Sequence, residues 1–192
     1  MKHVQHSAVI CCTRGIFMKN DARIRYTKMV IKDSFFQLLK QKPVEKITVK
    51  EICEMAQINR ATFYRYYENQ FDLLSVIEND MFQTIQETIK EQTADLNSLI
   101  KEILNSLYKN KDEWILLMGN HADPRIVSKI YSFCYSHFER RYQTEEQKMR
   151  YLFIVYGFSG LVDYWIKNGM QESPDKMADY MISYSHNLNT MK

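Results

Sequence analysis

With 192 residues, 5 glycines and 3 prolines, the chain has room for one mid-sized domain or two smaller units but little turn chemistry for the many short strands of a sandwich or barrel, which predicts an all-α protein. No apolar run approaches the ~20 residues of a membrane-spanning helix, so no membrane partner is expected. The net charge of +3 hides an asymmetry: residues 1–70 hold 13 Lys and Arg against 6 Asp and Glu, and residues 71–192 hold 13 against 17. A basic module for a polyanion is therefore expected ahead of an acidic module with another task.

Residues 1–20 read as a disordered leader, with Met18 as an alternative start. The apolar run Ala8 to Cys12 is too short for the core of a secretory signal. Cys11, Cys12, Cys53 and Cys134 form no CxxC pair and have no histidine at a metal-ligand spacing. Neither a metal nor another cofactor nor a disulfide framework is expected, and a reduced, cytoplasmic chain is. Cys53 and Cys134 lie within helical patterns and read as small core residues.

Ile31, Phe35 and Leu38 recur at spacings of four and three, which predicts a helix over 24–41 that Pro43 ends. Next, TVKE at 48–51 is a capping box that starts a second helix, with Val49, Ile52, Cys53 and Ala56 on its apolar side. Asn59 then reads as the cap of a third helix in INRATFYRYY, residues 58–67, after a turn of about three residues. Two helices so joined form a helix-turn-helix, so residues 21–68 are assigned as a DNA-binding domain. Phe63 and Tyr67 fall four apart and pin the third helix inward, which leaves Arg60, Ala61, Tyr64 and Arg65 outward. Thr62, Tyr64 and Tyr66 add hydroxyl donors for phosphates, and an arginine can grip guanine, a mixture suited to the major groove.

From Asn69 and Asp72 a fourth helix runs through Leu73, Leu74, Ile77, Met81 and Ile85 to about Ile89. A shorter helix follows through Leu96, Leu99, Ile103 and Leu107, with a break at Gly119 and Asn120. Asp123 and Pro124 open another, Thr144 to Gln147 is a second capping box, Gly169 closes that helix, and Ser173 and Pro174 open the last. Residues 69–192 are thus assigned as one helical domain. No Gly-rich phosphate loop, HExxH, GxSxG or oriented Cys–His pair is present in the sequence, and no enzyme is expected.

Met81, Phe82, Tyr108, Trp114, Met118, Tyr131, Cys134, His137, Phe138, Phe153 and Tyr156, with Trp165, form either an ordinary core or the lining of a pocket for a small amphipathic effector. Two stripes stand out further on: Met149, Leu152, Tyr156 and Gly160 on one helix, and Met177, Met181, Tyr184 and Leu188 on the last.

The run ITVKEICEMAQINRATFYRYYENQFDLL, residues 47–74, resembles the DNA-binding signature of TetR/AcrR family transcriptional regulators, with Thr48, Thr62, Phe63, Tyr64, Tyr66, Tyr67 and Leu74 in place. HADPRIV and YWIKNGMQESPDKMA are similar to a branch that includes regulators of dihydroxyacetone kinase operons. The resemblance implies DNA contacts from Thr48, Lys50, Arg60, Ala61, Thr62, Tyr64 and Tyr66. It also implies a homodimer whose last two helices form a four-helix bundle with their copies, and a repressor released from a palindromic operator by a small-molecule effector. An adaptor or activator working through a protein partner is the alternative. Two positions depart from the pattern: Gln57 stands where the turn has glycine, and Gln70 replaces the lysine that opens helix four, leaving only a neutral hydrogen bond for a phosphate.

Overall fold

The computed structural model describes residues 7–91, 96–118, 129, 132, 133, 136 and 144–190. Its helices are α1 (Ser7–Leu39), α2 (Val49–Met55), α3 (Arg60–Tyr64), α4 (Gln70–Glu91), α5 (Leu96–Lys109), α6 (Lys111–Met118), α7 (Glu145–Lys167) and α8 (Pro174–Thr190), with one 3-10 turn at Val44–Lys46. No strand occurs among the described residues, and no helix there is long and apolar enough to cross a membrane. Two compact units divide the chain, Met1–Leu73 and Leu74–Lys192, and the division falls within α4.

In the first unit α1 begins at Ser7, so residues 7–20, expected as a disordered leader, continue the helix upstream of Ile24. No proline interrupts the stretch, and nothing in its chemistry forces a stop before Pro43. Ile31, Phe35 and Leu38 are buried on one face of α1, which packs on α2. Val44, Ile47, Ile52, Cys53, Phe63, Tyr67 and Leu73 complete this core. Phe63 has no exposed surface and its ring lies 5.6 Å from that of Tyr67. Burial of a side chain of that size stabilises by about 1.5–3 kcal/mol, so Phe63 anchors the short α3 to the other helices. Burial also pushes the Cys53 thiol up, which suits an inert core residue.

Local chemistry sets the ends of α2. Thr48 caps it in a complete capping box: its Oγ1 accepts from the Glu51 N–H at 3.3 Å while the Glu51 carboxylate accepts from the Thr48 N–H at 3.0 Å. Lys42 donates to the same carboxylate and so ties the segment after α1 to α2. The Lys42 and Thr48 donors hold the Glu51 carboxyl down at about 2. At the other end the Gln57 N–H donates to the Glu54 carbonyl (3.3 Å) and the Ile58 N–H to the Cys53 carbonyl (3.0 Å). This is a Schellman termination, and Gln57 occupies its left-handed position with φ 54°. A non-glycine residue therefore takes the backbone conformation that the turn demands.

In the second unit Ile77, Met81, Ile85 and Ile89 form a buried stripe at spacings of four along α4. α8 packs on α5, and α7 on α6. The apolar pattern of the fifth helix marks no break near residue 110, but the structure separates α5 from α6 at Asn110. The Asn110 carbonyl accepts from Trp114, and Asp112 and Glu113 fill the first turn of α6, where negative charge is favoured. α7 ends in the same motif as α2, but here Gly169 holds the left-handed position (φ 75°). The expected break at Gly119 and Asn120 and the start at Asp123 and Pro124 lie outside the described residues.

Candidate nucleic-acid interface

Asn59 caps α3, its Oδ1 accepting from the Thr62 N–H at 2.7 Å and from the Thr62 hydroxyl at 2.9 Å. Only residues 60–64 are α-helical, yet the Tyr66 and Tyr67 N–H groups still donate to the Phe63 carbonyl, so the turn continues far enough to carry Tyr67 into the core. With Phe63 and Tyr67 buried, Arg60, Ala61, Tyr64 and Arg65 lie exposed. The Tyr64 ring meets Phe63 edge-on at 5.8 Å, which holds the phenol outward on a rigid base. Tyr66 is half-buried, and the Lys28 ammonium of α1 sits 5.8 Å above its ring. Among the described residues no carboxylate lies within ion-pair distance of Arg60 or Arg65. The exposed face thus offers guanidinium forks, phenols and a small alanine, a set that can read base edges and hold phosphates.

The two threonines differ from expectation. Thr48 Oγ1 donates to the Glu51 carboxylate at 2.8 Å, and Thr62 Oγ1 donates to Asn59. Both hydroxyl hydrogens are committed to capping, so neither is free to donate to a phosphate in the unbound chain. Lys50, at the start of α2, is exposed and lies 3.7 Å from Glu54, a pairing too weak at the surface to keep it from an anion. Gln70 is the first residue of α4 and half-buried. Beside it Asn69 Oδ1 accepts from the Phe71 and Asp72 N–H groups at 2.9 and 3.0 Å, and the Asp72 carboxylate accepts from the Glu68 N–H. Two amides of that helix start are therefore already satisfied.

Among the residues expected to line an effector pocket, Met81, Trp114 and Met118 are buried, Phe82 meets Phe133 edge-on at 6.1 Å, and Tyr108 stacks on Trp165 at 5.9 Å. Phe153 and Tyr156 instead lie on the surface, 65% and 59% exposed. Tyr131, Cys134, His137 and Phe138 fall outside the described residues. The two expected interface stripes also shift. Met177 and Met181 are buried within their own unit, on a helix that packs on α5, whereas Tyr180 and Tyr184 are exposed. On α7, Met149, Tyr156 and Gly160 are exposed and Leu152 is half-buried, and Phe153 and Tyr164 extend the outward stripe. The side chain of Leu188 is outside the described set. Among the described residues no three His, Cys, Asp or Glu side chains converge on a metal-sized space.

Sequence reasoning missed the part played by α1 beside the recognition helix. Arg23, Arg25 and Lys28 recur at spacings of two and three just before its apolar stripe, and that basic cluster was the available signal.

Comparison with known proteins agrees with this geometry. Residues 33–77 match bacterial regulatory proteins of the tetR family, and residues 94–187 match a transcriptional regulator C-terminal region. The chain is 35% identical over 72 residues to the HTH-type dhaKLM operon transcriptional activator DhaS of Lactococcus lactis subsp. lactis (strain IL1403), a stretch covering 37% of this chain and 38% of that protein. It is 29% identical over 69 residues to the uncharacterized HTH-type transcriptional regulator YxbF of Bacillus subtilis (strain 168), covering 36% of this chain and 18% of that one. These curated relatives are thus matched over well under half of their length. The fold is similar to the crystal structure of a TetR transcriptional regulator from Streptococcus agalactiae 2603V, with a TM-score of 0.63 and 22% identity over 88% of this chain and 98% of that one. It is also similar to a structure of the dihydroxyacetone kinase operon activator DhaS, with a TM-score of 0.61 and 19% identity over 84% and 94%.

Proposed function

Because the chain belongs to the TetR family of transcriptional regulators, we propose that it acts as a homodimer that sets two copies of α3 into successive major grooves of a palindromic operator. The observation that carries this reading is the exposed face of α3, where Arg60, Arg65 and Tyr64 stand free of protein partners on a base pinned by Phe63. Arg60 would grip a base edge and Lys50, Arg65 and Tyr66 the backbone. Dimerisation is supported by the outward stripe Met149, Phe153, Tyr156, Gly160 and Tyr164, spaced four, three, four and four along α7, with Tyr180 and Tyr184 on α8. A contiguous apolar face of that kind calls for a partner, and a second copy presents the same face.

Repression is the reading that asks for fewest parts, since a dimer seated over a promoter blocks it with no further surface. A small effector that enters the aromatic groups around Phe82, Tyr108, Trp114 and Met118 and favours another spacing of the two heads would release the DNA by differential affinity. A second reading, an activator, is favoured by the relative that is described as a transcriptional activator. Footprinting of the purified chain on DNA upstream of its own gene tests the proposal. Two protected half-sites ~34–36 Å apart, or a near multiple, are expected. Protection only in the presence of a second protein would favour an adaptor instead. Transcription in vitro from the protected promoter, falling or rising with added protein, decides the sign.

A further inference from the structure

The α3 face does not exhaust the cationic surface of the first unit. An open cleft of about 780 Å³ lies between the upstream part of α1 and the recognition segment, lined on one side by Arg23 and Thr27 and on the other by Thr62, Arg65 and Tyr66, with Gln57 in the turn at its end. No Asp or Glu contributes to its wall. The threonine hydroxyls are occupied, Thr27 donating to the Arg23 carbonyl at 2.8 Å and Thr62 to Asn59. Among the described residues the Arg23 and Arg65 guanidiniums and the Tyr66 hydroxyl have no protein partner. The free groups of the cleft are therefore all hydrogen-bond donors and two of them are cations, which is the chemistry of an anion site. Lys28 leans over the Tyr66 ring and keeps that phenol in place.

We propose that this cleft seats the phosphate backbone of DNA flanking the stretch read by α3, with Arg23 of α1 making a backbone contact outside the recognition helix. The proposal rests on the DNA-binding reading above and extends it to a second element. Open grooves with cationic walls suit a polyanion that runs through, whereas a small free anion would leave most of such a volume to water. Because Arg65 and Tyr66 belong both to the cleft and to the recognition segment, a backbone in the cleft is continuous with a groove under α3. Phosphate contacts of this kind raise affinity without adding sequence information.

Salt dependence tests it. Anisotropy titrations of the full chain with a duplex selected by the parent protein, and with random duplex of equal length, are run between about 50 and 200 mM salt. Arg23→Gln is expected to make the slope of log affinity against log salt shallower by about 0.9 on both duplexes, because one released counterion is lost. The affinity ratio between the two duplexes should stay as in the parent. Arg23→Lys, which restores a cation, should return the parent slope. Lys40→Gln, an exposed cation just past the far end of α1, should leave the slope unchanged. A parent slope retained in Arg23→Gln overturns the proposal while leaving DNA binding by α3 intact. An equal change in Lys40→Gln also overturns it, since net charge and not the cleft would then be responsible. A parent that binds neither duplex overturns the DNA-binding reading itself, and this proposal with it. Circular dichroism confirms that the variants remain folded, as expected for an exposed Arg23.

Discussion

Replacing Gln57 by glycine should stabilise the DNA-binding unit. The residue sits at the left-handed position of the α2 termination with φ 54°, where a Cβ crowds the following carbonyl and costs about 1–2 kcal/mol. Its side chain is exposed and has no hydrogen bond among the described residues, so its removal forfeits little. The two bonds that end the helix, from Gln57 N–H and Ile58 N–H, come from the backbone and survive the change. Against this gain stands the greater freedom of glycine in the unfolded chain, a loss of roughly 0.5–1 kcal/mol. A net stabilisation of about 0.5–1 kcal/mol remains. For a unit of this size it raises the thermal midpoint by about 2–8 °C. The assay is the first unfolding transition followed by circular dichroism, with Gln57→Ala beside it. Alanine keeps the Cβ and the strain, so it should lie within about 0.5 kcal/mol of the parent. A midpoint that falls or stays level in Gln57→Gly would refute the reasoning, because the backbone at 57 would then carry no left-handed strain. Gly169, at the equivalent place after α7 with φ 75°, already holds the residue that the motif favours.

Arg60→Ala should weaken binding to a selected operator by roughly 1–3 kcal/mol and random DNA much less, the loss of a base contact; equal losses in competition titrations would reassign Arg60 to phosphate. Phe153→Glu with Tyr156→Glu should yield folded monomers in sedimentation, since both side chains are exposed in the single chain and a symmetric interface would bury their charges unpaired. An intact dimer would place the interface off this stripe of α7. The depressed Glu51 carboxyl makes the first unit acid-sensitive: its folded value of about 2 lies below the ordinary 4.5. Its stabilising effect is therefore fully present above about 4.5 and is lost as pH falls toward 2. The difference in urea midpoint between the parent and Glu51→Gln should shrink across that window; a gap independent of pH would contradict the Lys42 and Thr48 assignment.

Features whose causes lie within a few residues of chain are legible in the amino-acid sequence alone. Thr48 and Glu51, Asn59 and Thr62, and Thr144 and Gln147 cap their helices through bonds that span three residues. Ile31, Phe35 and Leu38 carry their burial in their spacing. The division of α3 into a buried aromatic side and an exposed basic side follows the same rule, because one helix has only one way to turn Arg60 and Arg65 to water and Phe63 away from it. The committed hydroxyls of Thr48 and Thr62 are half-legible: the capping pattern is visible, and its consequence for phosphate binding is not.

Tertiary packing decided the rest. Both sides of α8 offer large apolar groups, Met177 and Met181 on one and Tyr180 and Tyr184 on the other, so periodicity alone cannot say which side its own unit covers. Packing on α5 leaves the methionines buried and the tyrosines outside. On α7 the same ambiguity put Phe153 and Tyr156 in a pocket when they belong to an outward stripe. Lys28 and Tyr66, and Arg23 and Arg65, are joined across about forty residues of chain by the packing of α1 beside the recognition segment. A sequence specifies local hydrogen bonds and the spacing of apolar groups directly, because both act over one or two turns. Which of two apolar faces is buried, and which distant cations share a cleft, depends on the energy of whole helices packed together, and no single stretch of chain contains that information.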